Sequence, residues 1–331
     1  MTGSRAMAVT PTPRLTPADH PAARALARWS ARPPVGVAFS GGADSTALLW
    51  GLQQCQPAVQ IVALHVHHGL QAAADDFAQH CQAVCRQWLI PLHIVEVQAR
   101  HAPGDSPEEA ARIARYTTLA ATALGLGLGE VLLGQHADDQ VETVLLALSR
   151  GAGLAGIAGM PRHFERHGMA FGRPLLDVGG AQLRAWLQAT ATPHIEDPSN
   201  SNTAFTRNRI RHAVLPAIAQ AFPQYRETFS RTARHAATAQ RLLQALAEED
   251  LTHTGDPPLI GALQTLTRDR QANLLRHWLR ATHQERASTA QMDELLDQVA
   301  ACLTRGHQIR IRVGRSMAVR DGPRLRLEHP V

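Results

Sequence analysis

The chain has 331 residues, 44% of them apolar, with a formal net charge of +5; that length builds about two domains with sizeable cores, and the positive balance points to a polyanionic partner. No apolar run approaches the ~20 residues of a membrane span, and the proline-bearing N-terminus lacks the apolar core of a secretory signal. Cys55, Cys81, Cys85 and Cys302 form no Cys-x-x-Cys pair, which argues against a structural zinc or iron–sulfur site, so the expectation is a soluble cytoplasmic protein with no membrane partner.

A leader with Pro11, Pro13, Pro17 and Pro21 and a short helix at 22–30 precede a first strand predicted at 35–39. Further apolar, β-rich runs fall at 59–66, 92–97 and 130–134, with helical patterns between them at 45–54, 75–89 and 107–124. Alternation of this kind predicts an α/β fold, a Rossmann-like parallel sheet covered on both faces, with ligands at the C-terminal edge of its strands. From about Pro216 the pattern turns to helices rich in alanine, arginine and glutamine, and "HQIRIRVGRSMAVRDGPRLRLE" then alternates apolar residues with arginines. Breaks at Gly314 and at Asp321-Gly322-Pro323 make that stretch short antiparallel strands with one basic face. The expected organisation is a leader and short helix at 1–30, a nucleotide-binding catalytic domain at 31–215 and a mainly helical domain at 216–331.

The first strand runs into "SGGADS". Gly41 and Gly42 remove Cβ atoms where an anion must approach the backbone, Ser40 and Ser45 offer hydroxyls, and Ala43 opens a helix whose dipole favours phosphate. Asp44 is the odd member, because a carboxylate beside a phosphate repels it unless a cation such as Mg²⁺ intervenes; the alternative is a helix cap. The chain contains no lysine, its 33 Lys+Arg positions all being arginine, so a Walker-type phosphate lysine is excluded.

Later stretches carry further candidates. In "GQHADDQVET", Asp138, Asp139 and Glu142 fall at a strand end and on the first turn of a helix, where they can bind Mg²⁺, hold an ammonium group or simply complement the helix dipole. Glu109, Arg112 and Arg115 share one helix as a phosphate-binding set or as an ion-paired face. Arg207, Arg209 and Arg211 form a dense basic element whose guanidinium forks match phosphate geometry. His65, His67, His68 and His136 lack metal-ligand spacing; His65 and His136 are read as pocket members.

The "SGGADS" turn after a strand resembles the PP-loop of the ATP pyrophosphatases. Together with "HVHHGL", "SPEEAARIARYTTLA", "LLGQHADDQVETVLLALSRGAGLAGIAGM", "RPLL" and "IEDPSNSNTAFTRNRIRHAVLP" in that order, the chain resembles the tRNA(Ile)-lysidine synthase family. The resemblance implies a ligase that adenylates the wobble cytidine of the CAU anticodon of tRNA(Ile) with ATP, releases pyrophosphate and lets free L-lysine displace AMP. It implies ATP binding by Ser40, Gly41, Gly42, Ala43, Asp44, Ser45 and His65, with Mg²⁺ at Asp44. Asp44, Asp138, Asp139, Glu142 and Arg112 are the implied catalytic set. Arg115, Arg207, Arg209, Arg211, Arg310 and Arg312 are assigned to tRNA or phosphate, and a homodimer is left open as the assembly. Gln71 and Gln135 depart from the family, standing where arginine and histidine are frequent. The extra C-terminal domain of longer members has no room here, so tRNA selection is expected to rely on the helical domain and the terminal strands. The rival readings are another PP-loop enzyme, such as a tRNA thiolase or an amidotransferase-type synthetase, and a non-catalytic tRNA-binding protein.

Overall fold

The structure is a computed structural model that describes residues 19–67, 73–97, 107–196, 202–304 and 306–329. The expectations for the leader before residue 19, for His68, Gly69, Leu70 and Gln71, for Ser106 and for the turn at 197–200 lie outside those residues. The chain divides into two compact units, Met1–Ala233 and Arg234–Val331.

In the first unit α1 (Pro21–Ala27) leads into β1 (Val35–Ala38), α2 (Ala43–Cys55), β2 (Ile61–His67), α3 (Ala73–Gln87), β3 (Leu92–Glu96), α4 (Pro107–Gly125), β4 (Glu130–Leu132) and α5 (Ala137–Ser149). These are the alternating strands and helices that the apolar runs predict. β1 to β4 are all parallel, and period-two alternation sends their side chains to two cores. Val35, Val37, Ile61 and Ala63 meet Leu26, Leu48, Leu52 and Trp186, while Val62, Leu64 and Val131 meet Tyr116, Leu119 and Ala123 of α4.

After α6 (Leu154–Ile157), a hairpin of β5 (His163–Arg166) and β6 (Met169–Gly172) completes a six-stranded sheet of order β3-β2-β1-β4-β6-β5. The sheet is therefore mainly parallel with one antiparallel edge strand. Its charged, interrupted sequence hides the hairpin from a search for apolar runs. The signal present is His167-Gly168, both at positive φ (52° and 73°), as a two-residue hairpin turn requires.

The strand order reverses between β1 and β4, which opens a crevice at the C-terminal edge between the loops that follow them. Those loops touch: a Cβ on Gly134 would lie 3.0 Å from backbone atoms of Asp44 and Ser45. Beyond α7 (Gly180–Ala189) the chain forms α8 (Thr206–Arg209), a π-helix (Ile210–Val214), α9 (Leu215–Ala221) and α10 (Tyr225–Thr254). Ile210, Leu215 and Tyr225 bury with Val141 and Leu146 of α5, so the contact division falls within α10, C-terminal to the change of composition at Leu215-Pro216.

The second unit follows with α11 (Ile260–Leu263), α12 (Arg268–His283), α13 (Thr289–Ala301) and the expected antiparallel sheet β7 (Arg310–Val313), β8 (Ser316–Asp321) and β9 (Arg324–Glu328). Trp278, Leu274, Met292 and Leu295 pack on Val313, Ala318 and Leu325, leaving Arg310 and Arg312 on the outer side of β7. Among the described residues no helix is long and apolar enough to cross a membrane.

Candidate active site

The turn after β1 is held by its own side chains. Ser45 Oγ accepts from the Ser40 N–H at 3.2 Å and donates to Gly42 O at 3.0 Å, while Gly41 O accepts from Thr46 Oγ1 at 3.2 Å and from the Ile195 N–H at 2.9 Å. Gly41 sits at φ +83°, and a Cβ there would also press on His80 and Cys81 at 3.0 and 3.2 Å, so the fold itself demands glycine. Gly42 differs. Its φ of −72° suits any residue, and a Cβ would meet only Ser40 Oγ at 3.5 Å. The protein gives Gly42 no internal reason to be glycine; the open space it faces lies at the uncapped N-terminus of α2, where an anion would approach the backbone. His65 is buried below the turn, its Nδ1 2.9 Å from Phe39 O, and burial lowers its pKa, so it supports the turn as a neutral ring. Burial pushes the neighbouring Cys81 and Cys85 thiols up to about 12, which leaves them unreactive.

Across the crevice His136 caps α5. Its Nδ1 lies 3.2 Å from the Asp138 nitrogen, whose N–H it accepts when the ring is neutral, and Asp139 Oδ2 accepts from the His136 N–H at 3.0 Å. The other ring nitrogen, Nε2, lies 3.5 Å from Asp44 Oδ2 and 3.7 Å from Asp139 Oδ2. Burial disfavours the imidazolium, yet Asp139, Asp44 and Asp138 together raise the His136 pKa to about 9. Burial likewise acts to raise the Asp44 pKa, but the His136 bond and charge hold it below the usual carboxylate range. The second oxygen of Asp44, Oδ1, is buried without a hydrogen-bond partner. Among the described residues no group of three or more His, Cys, Asp and Glu side chains forms a metal cage. Mg²⁺ needs none, being held by one or two carboxylates with phosphate and water, and an orphan carboxylate oxygen fits that demand.

The three α5 carboxylates have separate partners. Asp138 accepts from the Gly180 N–H at 2.8 Å, Tyr225 Oη at 2.9 Å and Arg226 Nε at 2.5 Å; burial acts to raise its pKa, but the Gly180 and Arg226 bonds with the Arg226 and His136 charges lower it. Asp139 and Glu142 instead share Arg211, whose Nε donates to Glu142 Oε1 at 2.8 Å and whose Nη2 donates to Asp139 Oδ1 at 3.1 Å. Glu142 is fully buried, and burial together with Asp139 raises its pKa against the pull of Arg211.

Around the glycine turn, therefore, the structure gathers Ser40, Gly41, Gly42, Ala43, Asp44, Ser45 and His65, and beside them Asp138, Asp139, Glu142 and Arg211. Arg112 and Arg115 are exposed on α4, Arg112 paired with Glu109 at 2.6 Å. Arg207 and Arg209 stand on α8, and Arg310 and Arg312 belong to the second unit, where Arg310 lies 3.5 Å from Glu328. Sequence reasoning missed Tyr225, Arg226 and Gly180 as partners of Asp138; no local pattern marks contacts at such separations. It also read Gln135 as a weakened position, whereas Gln135 Oε1 accepts from Nε of the buried Arg173 at 2.6 Å. The quoted "RPLL" contained that signal.

Comparison with known proteins follows the same division. Residues 19–218 match the family model of a PP-loop domain, and residues 259–325 match that of a TilS substrate binding domain. The chain is similar to the tRNA(Ile)-lysidine synthase of Polaromonas naphthalenivorans, 56% identical over 289 residues, covering 87% of this chain and 88% of that protein. The synthases of Burkholderia pseudomallei (41% identical, 84% of this chain, 58% of that protein) and Pseudomonas aeruginosa (45%, 77% and 61%) are also similar. The chain thus spans about three fifths of the length of the latter two. Among solved structures the U34-tRNA thiolase NcsA of Methanococcus maripaludis has the same fold, with a TM-score of 0.57 at 14% identity over 65% of this chain and 76% of that one.

Proposed function

This chain belongs to the tRNA(Ile)-lysidine synthases, a family of ligases, and on that premise we propose that it joins free L-lysine to the wobble cytidine of a CAU anticodon with ATP as the activating co-substrate. In the first step the C2 carbonyl oxygen of cytosine attacks the α-phosphorus of ATP and pyrophosphate leaves, so the base is O-adenylated. In the second, the side-chain amine of lysine adds to C2, gives up its protons, and AMP departs with the electrons of the C2–O bond.

The observation that carries this reading is the single crevice shared by the glycine turn and the carboxylates of α5. The Ser40–Ser45 turn and the α2 N-terminus receive the phosphates, Gly42 leaving room for them. Asp44 would hold Mg²⁺ through its unpartnered Oδ1, and that ion when bound neutralises phosphate charge. His136 acts as a positioning residue, pinning Asp44 against the α5 carboxylates. Asp138 has its acceptor sites engaged and holds α5 in place, which leaves Asp139 and Glu142 for the amine. Glu142, made more basic by burial, accepts a proton from the lysine ammonium, and Arg211 balances the two carboxylates before that cation enters. Arg112, Arg115, Arg207 and Arg209 in the first unit and Arg310 and Arg312 in the second contact tRNA phosphates.

Separating the two chemical steps tests these roles. Asp139→Ala or Glu142→Ala should release pyrophosphate in the presence of tRNA and ATP yet fail to transfer lysine. Loss of both steps together in both variants would move these carboxylates to the ATP site and remove the amine-binding role.

A further inference from the structure

Phe205 is an aromatic ring in the wrong place for a core residue. It is 49% exposed, while Ile210, a turn and a half further on, is buried with Val141, Leu146 and Tyr225. Its backbone is nonetheless firmly held. The Phe205 N–H donates to Asn202 O at 3.4 Å, the same carbonyl accepts from the buried Asn208 side chain at 2.8 Å, and Asn202 Oδ1 accepts from the Ala204 N–H at 2.9 Å. The Arg209 guanidinium is fastened on both sides of the ring's attachment point, donating to Ala204 O at 3.3 Å and to Thr206 Oγ1 at 2.9 Å. An exposed ring and an exposed cation thus stand four residues apart on one hydrogen-bonded turn, the cation bonded to both sequence neighbours of the ring's residue. That turn is tied to the proposed amine site, since Arg211 anchors the following π-helix on Asp139 and Glu142. Only about 9 Å of helical rise separates Phe205 from Arg211.

Neighbouring aromatic and guanidinium groups are the chemistry that recognises an unpaired base and its phosphate: the ring stacks on the base face, and the fork matches the phosphate oxygens. We infer that Phe205 is the platform on which a base of the anticodon loop, next to the reacting cytidine, stacks, with Arg209 taking the adjoining phosphate. The inference rests on the lysidine-synthase reading and adds a residue that positions the loop. A ring that only fills space would be replaceable by any apolar side chain; a stacking ring is replaceable only by another ring.

The test compares the full-length protein with Phe205→Ala, Phe205→Leu and Phe205→Trp, using a tRNA(Ile) transcript for kinetics and the same transcript carrying 2-aminopurine beside the wobble position for fluorescence. Phe205→Ala and Phe205→Leu should raise the KM for tRNA about tenfold, with kcat at saturating tRNA and ATP affinity close to wild type, and should abolish the quenching of 2-aminopurine on binding. Phe205→Trp should restore both. A Leu variant with wild-type KM and quenching overturns the inference, as does an Ala variant that binds tRNA normally. Absence of lysidine from the wild-type reaction would overturn the underlying reading instead, so the two failures are distinguishable.

Discussion

One guanidinium spans two carboxylates of α5: Arg211 Nε lies 2.8 Å from Glu142 Oε1, and its Nη2 lies 3.1 Å from Asp139 Oδ1. The π-helix turns Arg211 inward, while Arg209, two residues earlier, stays in solvent. What reads in sequence as a run of equivalent basic residues is in the fold an inward anchor, Arg211, beside a half-buried Arg207 and an exposed Arg209.

Breaking that bridge should cost stability. Arg211→Ala leaves Glu142 buried without its charged donor, and a loss of about 2 kcal/mol is expected from denaturant titration. Adding Glu142→Gln to that variant removes the stranded charge and should recover part of the loss. A strictly additive double variant would show that the two side chains do not interact.

Stability should fall in mildly alkaline solution through His136. Its folded pKa, about 9, lies above its ordinary value of 6.5, so the stabilisation is fully present below about pH 6.5 and is lost as pH rises through 9. Melting temperatures of the wild type should decline across that window, and those of His136→Asn, which keeps a capping side chain without the charge, should be flatter. Asp44 and Asp138, whose pKa values are lowered, contribute instead at the acid end and lose their contribution as pH falls below 4. Parallel curves for wild type and His136→Asn between pH 6.5 and 9 would contradict the ion-pair assignment.

The two glycines of the turn should respond oppositely. Gly41→Ala forces a side chain into φ +83° and against His80, so its melting temperature should drop measurably. A Cβ at Gly42 meets only Ser40 Oγ, so Gly42→Val should fold with no more than the modest cost of a poorer helix N-cap, yet lose ATP binding by calorimetry because the added side chain fills the phosphate space. Retained ATP affinity in Gly42→Val would remove the phosphate role of the turn.

The parallel strands and the glycine turn were legible because their signals are local: apolar runs of strand length and two adjacent glycines between a strand and a helix. The distribution of roles within the carboxylate cluster was not. Asp138 and Glu142, four residues apart on one helix, separate because Gly180, Tyr225 and Arg226 meet the first and Arg211 meets the second, and those partners lie 42 to 88 residues away. Periodicity carries no information about contacts at that range. The β5–β6 hairpin was missed for another reason, since an edge strand exposed on one side needs no continuous apolar run.

Salt dependence tests the arginines of the second unit. Arg310 and Arg312 are exposed on β7, and Arg326 is exposed on β9 and pairs with Asp321 at 2.9 Å. Arg324 differs, donating to Pro257 O at 2.5 Å, so it supports the fold of that unit and is left unchanged. Replacing Arg310, Arg312 and Arg326 by glutamine should weaken tRNA binding and flatten the log–log salt slope by about one per lost phosphate contact. ATP binding should be unaffected. An unchanged slope would mark this face as merely solvated.

The most direct measurement is the mass of the tRNA nucleosides after incubation of the full-length protein with tRNA(Ile), ATP and lysine. The expected product is one cytidine heavier by lysine less water, appearing only when all three substrates are present, with pyrophosphate and AMP released in equal amounts. An unmodified cytidine, or a nucleoside in which sulfur has replaced oxygen, would contradict this expectation.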